Sequence, residues 1–252
     1  MPRELAGLDA LGRRLGGKIG ATLGAPGAGP VASGGELRSG VAWSTIKVPI
    51  VLRVLQDAGG PAGLTARQRE LSRRAITLSD NAAAAELFAG LERSHGGLAG
   101  ASAAVTEVLR EAGDDVTTVS TQGRGSFSTY GQTEWSLRRQ HRFMAALAGG
   151  CIASSASRRF VLDLMSQVTS DTWGLGSAGV PALWKGGWGP GADGRYLVRQ
   201  MGEIRVHGRP LVVTVAAIAD DGTYVSGQEL ATAAARLLAR QAGTEATAGS
   251  PC

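Results

Sequence analysis

Ser44 and Lys47 stand three residues apart at the mouth of an apolar run, Val41-Ala42-Trp43-Ser44-Thr45-Ile46-Lys47-Val48-Pro49-Ile50. A serine hydroxyl becomes a useful nucleophile when a neighbour takes its proton, and a lysine can do this once burial leaves its amine neutral. The chemistry on offer is formation of an acyl ester on Ser44. Taken alone, such a pair is ordinarily an N-cap serine followed by a solvated lysine. Composition shifts the balance: of the chain's 26 lysines and arginines, only Lys18, Lys47 and Lys185 are lysines. Arginine keeps its proton in a protein and lysine can release it, so a lysine in this background hints at a place where a compact or titratable amine is needed.

The element that must position the pair is a helix. Val48, Ile50, Val51, Val54 and Leu55 recur at helical spacing, which puts Ser44 at or near the N-terminus and Lys47 one turn on, on the same face. Unpaired N–H groups and the positive end of the helix dipole would then lie beside Ser44 and could stabilise an oxyanion. Upstream, Leu5, Leu8, Leu11 and Leu15 fit an amphipathic helix, Lys18 to Leu23 a strand, and Gly24 to Gly35 a Gly/Pro-rich turn. Downstream, helices are expected over Thr65 to Thr77, Ala82 to Leu91, Ala101 to Ala112, Thr133 with Glu134 to Ala148, and Ser157 to Val168. The stretch from Val116 to Gly131 is rich in Gly, Ser and Thr without periodicity, a loop long enough to suspect of function. Ala182 to Lys185, Arg195 to Val206 and Leu211 to Ala219 read as strands, and Ser226 to Ala242 as a closing helix.

The expected fold class is therefore α/β of the α+β kind: an antiparallel sheet drawn from both chain ends, packed against a cluster of helices. We expect one domain over 1–242, with its sheet part about 1–43 and 182–242, its helical part about 44–181, and a tail over 243–252. A chain of 252 residues, 43% hydrophobic and 19% charged, can bury such a core. The net charge of +5 is spread over separate arginine pairs such as Arg73-Arg74 and Arg138-Arg139, with no nucleic-acid motif, so no nucleic-acid partner is expected. No stretch reaches the length of a membrane span and no signal-peptide core follows Met1, so the chain is expected to be exported with its signal lying outside this sequence, or cytoplasmic if Met1 is the native start. Cys151 and Cys252 have no metal-ligand spacing, a structural disulfide is not their expected use, and no metal or organic cofactor is implied.

Two further triplets change the weight of Ser-x-x-Lys. Ser79-Asp80-Asn81 falls in an interhelical turn and Lys185-Gly186-Gly187 on a strand, and the order Ser-x-x-Lys, Ser-Asp-Asn, Lys-Thr/Ser-Gly resembles class A β-lactamases and penicillin-binding proteins. The surroundings of Ser79, the Gly113-Asp114-Asp115-Val116-Thr117 segment and the last three strands extend the resemblance over nearly the whole chain. It implies Ser44 as acylated nucleophile, Lys47 as its proton acceptor, Ser79 as the relay to the leaving group, and Lys185 as a positive charge that tunes Ser79 and meets a substrate carboxylate. Asn81 would hold the substrate's amide, with Gly187 and Trp188 on the substrate side of the strand. The backbone N–H groups of Ser44 and Trp188 would form the oxyanion hole. Arg195 resembles a second carboxylate anchor, with Arg199 as fallback, and reads equally as a solvated strand residue. Read alone, Ser79-Asp80-Asn81 is an Asx turn, Lys185 an edge-strand lysine, and Trp43, Trp184 and Trp188 core residues.

The sequence departs from class A in two places. The Glu-x-x-Leu-Asn segment that frees the acylated serine is missing, and no acidic residue lies between Val116 and Thr133; Glu134 reads as a first-turn helix residue. The interval from Ser44 to Ser79 is also shorter than in typical members, which suggests an open cleft. The expectation is a serine hydrolase, a monomer, acylated by a β-lactam or a related amide or ester and slow to deacylate. The alternatives are a D-alanyl-D-alanine peptidase or transpeptidase, another amide or ester acyl transferase, and a non-catalytic module that binds β-lactams or peptides.

Overall fold

In the computed structural model, which describes residues 3–242, the apolar run ending in Leu55 becomes helix α2 (Lys47–Asp57), entered through a single 3-10 turn, Trp43–Ile46. Almost every α2 residue from Lys47 to Leu55 is buried, because the helix is surrounded rather than laid on a surface. Around it stand α3 (Ala66–Thr77), α4 (Asn81–Ser94), α5 (Leu98–Glu111) and α7 (Ser155–Ser166). Local chemistry starts each of these where it is needed. Thr65 and Gln68 form a capping box on α3, Asp80 caps α4 through Ala83 N, and Ser154 caps α7.

The sheet is made of β1 (Arg3–Glu4), β2 (Gly17–Gly24), β3 (Ala32–Gly35), β4 (Ala182–Pro190), β5 (Tyr196–Val206) and β6 (Arg209–Ala219), in the order β1-β3-β2-β6-β5-β4. All pairings are antiparallel except β1 with β3. Strands from the two chain ends thus meet at β2–β6, as expected. Residues 211–217 of β6 are buried without a break, since α1 (Leu8–Leu15) and α8 (Tyr224–Ala242) cover one face while α6 (Leu137–Gly149) and the helical cluster cover the other. Among the described residues no helix is long and apolar enough to cross a membrane.

Several expectations need correction. The segment 24–35 is not all turn: Ala32–Gly35 pairs with β2, and β1 joins it at the edge, strands too short and too glycine-rich to show alternation. Helix α6 starts at Leu137 behind an N-cap at Ser136, so Glu134 lies ahead of it. Instead of serving a first turn, Glu134 bridges to Val41 and accepts a hydrogen bond from Ser39 Oγ. Cys151 is disulfide-bonded rather than a spare thiol, while Cys252 and the expected tail over 243–252 lie outside the described residues.

Candidate active site

Three non-glycine residues with left-handed backbone line one cleft: Trp43 (φ 49°), Ser79 (φ 56°) and Asp171 (φ 51°). Each such conformation costs on the order of 1–3 kcal/mol and persists only where the surroundings impose it. The cleft has a volume of about 690 Å³ and lies between the 3-10 turn, the start of α4, the loop before α6 and the end of β4.

The three sequence triplets meet there: Ser44, Lys47, Ser79 and Asn81 line the cleft, while Lys185 and Gly187 lie buried behind that lining. Lys47 Nζ donates to Ser79 O at 2.6 Å and to Asn81 Oδ1 at 2.7 Å. Lys185 Nζ donates to Ser79 Oγ at 2.8 Å and to Gly186 O at 2.8 Å. Ser79 is therefore held from both sides by amines, one on its carbonyl and one on its hydroxyl. Asp80 turns away, capping α4 and pairing with Arg74, so the triplet is both the Asx cap and a contributor to the cleft. Ser44 and Lys47 line the same space, with the amine's hydrogen bonds going to Ser79 and Asn81.

Both amines are depleted of solvent, Lys47 at 2% exposure and Lys185 at 0%. Burial, then the nearby charge of Lys185, lowers the pKa of Lys47 to about 7. Burial lowers Lys185 to about 8, with Asp171 opposing the shift. Removing a cation from water disfavours its charged form, and a second cation adds to that. At neutral pH a sizeable fraction of Lys47 is thus a free base.

Glycines let β4 come this close. A Cβ on Gly187 would lie 2.8 Å from Ser44 N and 2.9 Å from Ala42 O; one on Gly189 would lie 2.5 Å from the Trp43 ring. The strand and the serine turn are in direct contact. From below, Arg199 donates to Gly40 O (2.6 Å), Val41 O (3.1 Å), Trp135 O (3.0 Å) and Gln140 Oε1 (2.8 Å), and Gln140 Nε2 donates to Thr45 Oγ1 at 2.8 Å. Arg199 is fully buried under the turn, its pKa lowered to about 10 by that burial. It is a positioning residue and not a fallback anchor in the cleft. Arg195 is not brought into the cleft either, because its guanidinium pairs with Asp193 and is about half exposed.

The walls contain residues that the sequence reading assigned elsewhere or missed. Trp188 is 42% exposed, not core, and packs on Tyr224 (ring centroids 4.4 Å apart) and near Tyr196 (6.1 Å), while its Nε1 donates to Asp171 Oδ1 at 3.1 Å. Across the cleft the loop before α6 supplies Ser126, Phe127, Ser128 and Tyr130. Phe127 meets Trp43 edge to face at 5.0 Å, and Arg124 lies over both rings while donating to Pro190 O and Gly191 O. At the loop's start, buried Asp114 accepts from Trp135 Nε1, Arg139 and the backbone of Thr117. Asp114 organises the loop and takes no place in the cleft. Among the described residues no group of His, Cys, Asp and Glu is arranged to hold a metal ion.

A family model described as the beta-lactamase enzyme family matches residues 59–242. The structure is similar to a class A beta-lactamase from Mycobacterium abscessus (TM-score 0.74, 20% identity, 94% of this chain and 98% of that one). It is similar also to a beta-lactamase from Sphaerobacter thermophilus (TM-score 0.73, 21% identity, 96% and 98%) and to PBP-A (TM-score 0.70, 20% identity, 97% and 98%). No curated protein matches the chain by sequence.

Proposed function

Because this chain belongs to the beta-lactamase enzyme family, we propose that it is a serine hydrolase acylated at Ser44 by an amide or ester donor, β-lactams included. Lys47, as neutral amine, takes the Ser44 proton while Oγ attacks the donor's carbonyl carbon. The N–H groups of Ser44 and Trp188 receive the developing oxyanion. Ser79 Oγ relays the proton that Lys47 has taken to the leaving nitrogen or oxygen as the acyl bond breaks, and Lys185, hydrogen-bonded to Ser79 Oγ, steadies the hydroxyl through the transfer. The observation that carries this reading is the convergence of two buried, pKa-lowered amines on Ser79 beside Ser44. An idle binding fold would have no use for two desolvated lysines, each costly to bury.

Release of the acyl group is the slow step in this account. The loop residues lining the cleft are Ser126, Phe127, Ser128, Tyr130 and Gly131, with no carboxylate to activate water, and the carboxylate that does line the cleft, Asp171, is held on the Trp188 indole beside Lys185. The absence of a loop carboxylate also favours the second reading, a transpeptidase or other acyl transferase whose acceptor is an amine. A variant of PBP-A, similar in fold to this chain, is known as an acyl-enzyme complex with penicillin G. The test is to mix the protein with a chromogenic cephalosporin and follow colour: a burst near one equivalent followed by a slow phase, absent in Ser44→Ala, is expected. Sustained fast turnover would contradict slow release, and colour unaffected by Ser44→Ala would contradict the nucleophile.

A further inference from the structure

Asp171 occupies a place that the Lys-Thr/Ser-Gly pattern gives to a hydroxyl-bearing side chain. The residue after Lys185 is Gly186, and a Cβ built there would lie 2.6 Å from Asp171 Cβ and 2.6 Å from its Oδ2. The carboxylate thus fills the space beside β4 that a side chain at position 186 would need. Its Oδ2 is 4.0 Å from Lys185 Nζ and has no hydrogen-bond partner, and the side chain is 6% exposed. Its left-handed backbone is held by Gln200 Nε2 on Asp171 O at 2.7 Å, and its Oδ1 by the Trp188 indole at 3.1 Å. The lysine that would meet a substrate carboxylate therefore already faces one.

The other cations near the cleft are already committed: Arg124, over the Trp43 and Phe127 rings at the rim, donates to Gln132 Oε1, Pro190 O and Gly191 O. Among the described residues its lining contains one cation, Lys47, on the Ser44 side, and one anion, Asp171. Arg195 is paired with Asp193 and outside the lining, and Arg199 is buried under the serine turn on backbone carbonyls. A carboxylate brought to Lys185 would sit close to Asp171, and two like charges a few ångströms apart in a desolvated site repel strongly. We propose that this cleft selects acyl donors presenting a neutral group, an amide or an ester, beside Lys185, with Asp171 acting as the resident counter-ion that excludes a free carboxylate. The proposal rests on Ser44 being the acylated residue.

The probes are benzylpenicillin and its methyl ester, which share one reactive ring and differ in that charge. The rate of adduct formation is measured by intact mass on the native protein, on Asp171→Asn, and on Ser44→Ala as control. The native protein is expected to be acylated about tenfold faster by the ester than by the acid, and Asp171→Asn to bring the two rates within about threefold by accelerating the acid alone. A merely structural role for Asp171 would slow both probes together and leave their ratio unchanged. A native preference for the acid would overturn the proposal by itself, whether or not Asp171→Asn folds, while leaving acylation at Ser44 intact. Equal slowing of both probes in a folded Asp171→Asn would overturn the role of Asp171. Failure of both probes to label the native protein would overturn the proposal together with the reading it rests on.

Discussion

Burial lowers the pKa of both Lys47 and Lys185, to about 7 and about 8, and the charge on Lys185 adds to the shift at Lys47, so near neutral pH the pair can hold one neutral and one charged amine. Acylation needs that combination: a free base to take the Ser44 proton and a cation to steady Ser79. The neutral fraction of Lys47 grows as pH rises through about 7, and the charged fraction of Lys185 falls as pH rises past about 8. The acylation rate is therefore expected to rise and then decline with pH, with its maximum near neutral to mildly alkaline pH; pre-steady-state adduct formation across the range measures it. A rate flat through both regions would remove the lysines from the mechanism. Lys47→Arg, which keeps the charge and cannot release it, is expected to lower acylation by at least about 10³-fold.

The elements act on the site through closeness of backbone. Strand β4 reaches the serine turn because Gly187 and Gly189 carry no side chain there, and Arg199 and Gln140 support the turn from beneath. Gly187→Ala should push strand and turn apart. We expect it to cost about 1–3 kcal/mol as an overpacking change and to slow acylation more than it lowers the melting temperature would suggest. Thermal unfolding and adduct formation, measured together, check this, and an unchanged acylation rate would show that β4 is not held against Ser44. On the opposite rim, Arg124 ties the loop before α6 to the end of β4 through Pro190 O, Gly191 O, Trp43 and Phe127. One arginine thereby links the two walls.

At the scale of the molecule, the helical cluster packs on one face of the sheet through Met201 and Val212, and the site lies where the turn leading into α2 meets the strand from the far end of the chain. Much of this is legible in residue order. The period of Val48, Val51 and Leu55 announces α2, the apolar runs announce β5 and β6, and the scarcity of lysine singles out Lys47 and Lys185. What is not legible depends on contacts between distant segments. Arg199 looks like any strand arginine until its carbonyl partners, some 60 to 160 residues away in sequence, are in place. Asp171 carries no motif, and only the missing Cβ of Gly186 hints that another side chain needs the space. Glu134 looked like a helix start because it precedes one, yet its partner is Ser39 on another segment. Short strands such as Ala32–Gly35 form because β2 offers an edge, not because their own sequence favours them.

The central claim, that two buried amines arm Ser44, is tested most directly by locating the covalent adduct. The protein is incubated with a penicillin, digested, and the labelled peptide sequenced by mass spectrometry, with Lys47→Arg treated in parallel. The account predicts one stable acyl group, on Ser44, in the native protein and almost none in the variant. An adduct on any other residue, or equal labelling of Lys47→Arg, would contradict it.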